Sequence, residues 1–512
     1  MNDPFFPSPV FHKYLFNLIR LPFFLLSLVF PFTSMALDLP VEDFPLDQYP
    51  QKISIYFNSD DTSYDKPLLD SSYQNDQMKE FYRHYYASAA NGLSPWNPHL
   101  IKSTLPYIKE QMPKILETFN NEKVSLKDKH YGENFKRKNC RWWKTITTNV
   151  NLQAVDAATF NIHNRAISIA NTFVRALPDD APDFFHPSLP GQGFPFDNLQ
   201  MSVLWAGTPL YVISTSKDKA WSLVLTPDSY YGWVKSKDIA YASSSFIRNW
   251  QSAARHRLGA ITQTNTSITT DHDQFQLSGY VGAVFPIIHQ YKNHPTASIL
   301  IPIKDEQHQA KIQYGYLPTK AITSMPLPAS KKSIAHLLDQ LKGRPYGWGG
   351  AFFYNDCSQE MKSLFTPFAI WLPRNSAQQA KLNASFDMST VPPSERLKRL
   401  KDRGHPLMTL IYIGGHVMLY LGEKKLPADN HTKLMSYQNL WGISSLNQDK
   451  RYVIGQSVFF PLVQQYPEFP DGFSQINKST FKLIYLDELK INTQSPQSYS
   501  QEIFGSASSP VS

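Results

Sequence analysis

Hydrophobic positions in this chain change period several times, and each change marks a different kind of structure. From residue 76 to about 127, Phe81, Tyr85, Leu105, Ile108, Met112, Ile115 and Leu116 recur at three-to-four spacing, which predicts helices. Tyr82, Tyr85, Tyr86 and Trp96 in this region read as packing aromatics. After His163-Asn164 the pattern shortens to alternating runs at 166–169, 210–213, 221–224 and 231–234, with turn residues between them. A second stretch repeats the style at 282–285, 297–301 and 311–316, and together they predict two small all-β barrels in tandem. Helical spacing returns at Ile334, Leu337, Leu338 and Leu341, and again at Met361, Leu364 and Phe365, a face that Cys357 shares. Pro367 ends or kinks that second helix. Residues 407–413 and 416–421 flank Gly414-Gly415 and predict a hairpin. His416, Met418 and Tyr420 then point one way, and Val417, Leu419 and Leu421 the other. A further strand, 434–439, presents Ser436 and Gln438 on one face.

The stretches between these patterns suggest boundaries. Residues 37–75 are rich in proline, aspartate and serine and read as an arm laid over other domains. Prolines, serines and lysines from 318 to 333 mark a linker, and past about 465 periodicity fades into a serine-rich tail. The expected organisation is multidomain α+β. A signal peptide occupies 1–36, an arm and helical domain 37–163, Src-homology-like barrels 164–255 and 256–325, a papain-like α+β domain 326–465, and a tail 466–512. The signal reading rests on His12, Lys13 and Arg20 ahead of an apolar run at 21–32, with small residues Ser34 and Ala36 placed for cleavage after Ala36. That run is shorter than the ~20 residues needed to span a bilayer. The chain is therefore expected to be exported, with no stable membrane anchor after cleavage.

Composition changes this picture little. Lysine and arginine number 50 against 42 acidic residues, a formal charge of +8, but no long basic run or nucleic-acid motif accompanies the excess, so nucleic acid is not an expected partner. The segment 135–144 sets basic residues beside aromatics; it fits an anion-binding face and equally a solvated or packing role. Two cysteines, Cys140 and Cys357, are too few for a disulfide framework.

Chemistry concentrates in the last domain. Pro345-Tyr346-Gly347-Trp348-Gly349-Gly350 leads to Asp356-Cys357-Ser358, placing the cysteine at a helix start that Asn355 or Asp356 can cap. There free backbone NH groups and the helix dipole favour a thiolate, so Cys357 is expected to be a usable nucleophile near neutral pH. A small buried thiol fits the same position. A nucleophile needs a base and the base an orienting group, an order met by Cys357, His416 and Gln438.

With Leu372-Pro373-Arg374-Asn375-Ser376, Gly415-His416-Val417-Met418-Leu419-Tyr420 and Asn439-Leu440-Trp441-Gly442 added, the sequence resembles the NlpC-type papain-like cell-wall cysteine peptidases, in particular exported members with two Src-homology-like barrels before the catalytic domain. Asn171-Thr172-Phe173-Val174-Arg175 and Phe194-Pro195-Phe196-Asp197 look like the first-barrel pattern. The resemblance implies hydrolysis of the γ-D-glutamyl to diamino acid bond of peptidoglycan stem peptides or muropeptides, in the periplasm or outside the cell, without cofactor or metal. It also implies that Tyr346, Asp356 and Ser358 line the substrate side, with Asp356 available to a free substrate amine or serving as a helix cap. Many such enzymes carry a second histidine where this chain has Gln438, which can hold the imidazole tautomer but cannot stabilise an imidazolium by charge. His431 is a conceivable substitute. A weakly active or inactive peptidoglycan-binding protein, and a Cys-His amidase or acyltransferase, remain alternatives.

Overall fold

The computed structural model describes residues 40–291, 293–426 and 432–505. The expected signal peptide, His431 and the end of the tail lie outside the described residues. Pro98–Thr118 is the longest helix among the described residues. It starts where Asn97 accepts from the His99 NH and Pro98 occupies the first turn, and it buries Leu105, Ile108, Met112, Ile115 and Leu116. Tyr86 and Trp96 are fully buried, and the Trp96 indole donates to the Ala166 carbonyl of the first sheet at 2.9 Å. The aromatics of this region thus tie helices to strands.

Two seven-stranded sheets follow, Arg165–Ser168 through Ile239–Tyr241 and Leu258–Ile261 through Ile322–Ser324. Numbering the strands of each in chain order, both run 3-2-6-5-4-1-7, so one topology occurs twice. Between them lies helix Ser244–His256, capped by the Ser243 hydroxyl and buried through Phe246, Ile247, Trp250 and Ala254. The stretch read as a linker from 318 differs: Ile322–Ser324 pairs with Leu258–Ile261 and completes the second sheet. A strand of three residues is too short for its alternation to stand out in sequence.

The third sheet is built around Thr409–Tyr412, Val417–Lys425, Thr432–Ser444 and Arg451–Leu462, all antiparallel neighbours. Its far edge corrects the expected tail at 466–512. Lys482–Tyr485 inserts between Thr409–Tyr412 and Ser385–Asp387, and Pro496–Gly505 is helical with Tyr499 and Phe504 buried. Four-residue strands whose partners lie far away in sequence leave no periodic trace. At the opposite edge the arm adds Val41–Asp43 parallel to Arg451–Val453. Gln51 bonds both the NH and the carbonyl of Phe459, and Tyr56 stacks on the Phe459 ring at 4.1 Å, so the arm covers polar backbone that would otherwise be an open edge. Helices Lys331–Leu341 and Cys357–Phe365 share a core with this sheet.

Candidate active site

Close packing against the first sheet shapes the glycine segment. Gly349 and Gly350 have φ of 59° and 81°. A Cβ at Gly349 would meet the Gln200 carbonyl oxygen at 2.2 Å, and one at Gly350 would meet Val203 at 2.7 Å. Gln200 in turn donates its amide to the Gly349 carbonyl at 2.8 Å. Asp356 caps the helix Cys357–Phe365 by accepting from the Gln359 NH at 2.9 Å. Met361, Leu364 and Phe365 are fully buried, and with them the helix carries Cys357 to 7% exposure at its first position. Cys357 and Cys140 are both free thiols.

The partner element is the hairpin Thr409–Tyr412 and Val417–Lys425, whose turn residues Gly414 and Gly415 take φ of 74° and 81°. Val417, Leu419 and Leu421 share the core of the cysteine helix, while Met418 and Tyr420 join a separate cluster beyond the sheet. The turn comes against the thiol: Cys357 Sγ donates to the Gly415 carbonyl at 3.9 Å. The next residue, His416, contacts Gln438 Oε1 through Nε2 at 2.7 Å. Which end of the amide faces the ring follows from its surroundings. Ser436 spends its proton on the Phe460 carbonyl, so its oxygen accepts from Gln438 Nε2 at 3.0 Å, leaving Oε1 for the imidazole. Gln475 pairs with Gln438 in both directions, 2.8 and 3.1 Å, and locks that orientation. Nε2 of His416 therefore carries a proton and Nδ1 is the basic nitrogen.

Burial pushes the Cys357 thiol up to about 12; the Asp356 charge adds to this, while backbone NH groups of Val417 and Ser358 and the Arg374 charge oppose it. The thiolate expected from the helix start is not the resting form, because desolvation outweighs the dipole of a nine-residue helix. Burial likewise lowers His416 to about 4, against the Gln438 bond and Asp356, which raise it, and with Lys478, which lowers it further. Burial thus favours the neutral form of both the thiol and the imidazole, which line one cavity.

Cys357 sits where two cavities meet. One, of 310 Å³, has His416, Trp441, Arg451, Gln475 and Lys478 in its wall; the other, of 500 Å³, has Gln200, Tyr230, Asp356, Ser358, Arg374 and Phe504. Tyr346 lines both. Asp356 is occupied: Arg374 bonds its two oxygens at 3.2 and 2.7 Å, and Ser358 donates to it at 3.1 Å. Arg374 also reaches Ser358 and Ser202, coupling this wall to the first sheet. Gln475 and the role of Arg374 were missed from sequence; no local pattern marks either. No group of three His, Cys, Asp or Glu side chains among the described residues could hold a metal ion.

Residues 343–449 match the NlpC/P60 family, and residues 182–235 match an SH3 domain of the SH3b1 type. A solved NlpC/P60 endopeptidase from Photobacterium damselae subsp. piscicida is 26% identical with a TM-score of 0.70, covering 86% of this chain and 98% of that one. An NlpC/P60 family protein from Bacillus cereus is 15% identical with a TM-score of 0.40, covering 60% of this chain and 98% of that one. No curated protein matches the chain.

Proposed function

We propose that this chain is an exported cysteine endopeptidase that hydrolyses the γ-D-glutamyl to diamino acid bond of peptidoglycan stem peptides. The coarser assignment, a peptidoglycan hydrolase of the cysteine-peptidase kind, is supported by the NlpC/P60 match and the Photobacterium endopeptidase. The observation that carries the reading is the cavity that Cys357 and His416 line together, with the His416 ring held from behind by the buried Gln438. In this reading His416 Nδ1 takes the thiol proton as Sγ attacks the scissile carbonyl. The Cys357 NH, in the unbonded first turn of its helix, holds the oxyanion. His416 then returns the proton to the departing amine, and water releases the acyl group by the same route in reverse. Proton transfer accompanies attack, because the resting thiol is neutral. Tyr346, Asp356 and Ser358 stand on the acyl side, where the Asp356–Arg374 pair leaves a wall of fixed polar groups.

Mass spectrometry of defined stem peptides after incubation with the chain tests the bond, and Cys357→Ala is expected to abolish turnover. Cleavage that survives this substitution removes the scheme. The neutral thiol also favours a second reading, a wall-binding protein with little turnover. Failure of a thiol-reactive probe to label Cys357, together with intact peptides, would select it.

A further inference from the structure

In the proposed reaction, the imidazole that takes the thiol proton later gives it to the departing nitrogen, so the leaving half of the substrate lies on the histidine side of the thiol. His416 lines the 310 Å³ cavity and not the other. That cavity has two cations in its wall, Arg451 and Lys478, and no aspartate or glutamate. Arg451 donates to the Lys450 carbonyl at 3.3 Å, and Lys478 lies over the Phe473 ring at 5.0 Å. No carboxylate among the described residues pairs with either, whereas the adjacent Lys450 is bonded to Glu42 at 2.8 Å. Burial and the nearby Arg451 charge both hold the Lys478 ammonium below its ordinary range. The first-sheet loop closes on the same spot, since a side chain at Gly191 would meet Arg451 Nε at 2.7 Å.

Two half-buried like charges without a counter-ion are unfavourable, and an anion between them relieves both. We propose that Arg451 and Lys478 form a carboxylate subsite for the leaving half of the substrate. The proposal rests on the peptidase reading above and deepens it, because it requires the leaving half to present a free carboxylate. A guanidinium offers two parallel donors to a carboxylate and an ammonium a third. Two carboxylates could fill the subsite: the α-carboxylate of a leaving diamino acid, or the carboxylate that ends the side chain of 2,6-diaminopimelate.

Titration calorimetry of the intact chain with free meso-2,6-diaminopimelate and its two monoamides, one at the L centre and one at the D centre, separates these sources. Diaminopimelate is expected to bind, and one monoamide to bind about tenfold or more weakly, identifying the carboxylate engaged. In Lys478→Gln, and further in Lys478→Gln with Arg451→Gln, that ratio is expected to fall toward unity. Because Arg451 belongs to a paired strand, the single loop variant carries the test should the double variant not fold. Absence of binding, equal binding of all three ligands, or a ratio unchanged in the variants overturns the subsite. Product binding without cleavage of any stem peptide would instead count against the peptidase reading, and cleavage without carboxylate discrimination would count against the subsite alone.

Discussion

A single amide decides how the histidine of this site behaves. Gln438 accepts from His416 Nε2 and is clamped by Gln475 and Ser436, so it fixes a tautomer without supplying charge. The consequence is visible in the imidazole, which burial holds at about 4. Above that value the base is neutral and competent; below it the ring is protonated and cannot take the thiol proton. Activity is therefore expected to be level across neutral pH and to fall as pH drops through about 4. Gln438→Glu keeps the acceptor and the bond it receives from Gln475, gives up the two bonds its amide nitrogen donates to Gln475 and Ser436, and adds negative charge, which favours the imidazolium and raises the histidine pKa. The acid limb of a kcat/KM profile should then move to higher pH. A limb that stays in place would mean that the contact with Gln438 does not govern the base.

Elements show which parts of the site a sequence can carry. The cysteine helix and the histidine hairpin were legible because their determinants are local: a capping Asp356, apolar spacing at Met361, Leu364 and Phe365, and a Gly414-Gly415 turn. What holds them together was not, because it is made by residues distant in sequence. Glu360 is the clearest case, since on an amphipathic reading an acidic residue belongs on the solvent face. Instead it is fully buried, accepting from Tyr437 and Ser457 at 2.6 and 2.7 Å on one oxygen and from Asn355 at 2.6 Å on the other. Asn355 in turn accepts from the Gly347 NH and from Asn439, so Glu360 anchors the loop that delivers Cys357. Glu360→Ala strands three buried donors and is expected to cost about 3 kcal/mol, read as a lower urea midpoint. Stability within about 0.5 kcal/mol of the parent would assign the anchoring to the backbone alone.

Across the whole molecule, the cleft is a property of several segments rather than of the domain that carries the thiol. The first sheet contributes Gln200 and Tyr230 to one wall, and its Asp228 pairs with Lys362 of the cysteine helix at 2.7 Å with both side chains buried. The far end of the chain adds Ile503 and Phe504 to that wall. Two truncations separate the contributions. A chain ending after Gln465 loses Lys482–Tyr485 from between two strands, and with it Gln475, which holds Gln438; the sheet is opened on both sides of the gap. No cooperative unfolding transition is expected from it. A chain ending after Ile491 keeps every strand but loses helix Pro496–Gly505, whose buried Tyr499 and Phe504 contribute roughly 2 kcal/mol each. It is expected to fold with a lower Tm and, because Ile503 and Phe504 are gone from the wall of that cavity, to show a raised KM with kcat less affected. Equal KM in the longer truncation and the full chain would show that the substrate never reaches Phe504, and would confine the acyl subsite to the wall formed by Tyr346, Asp356 and Ser358.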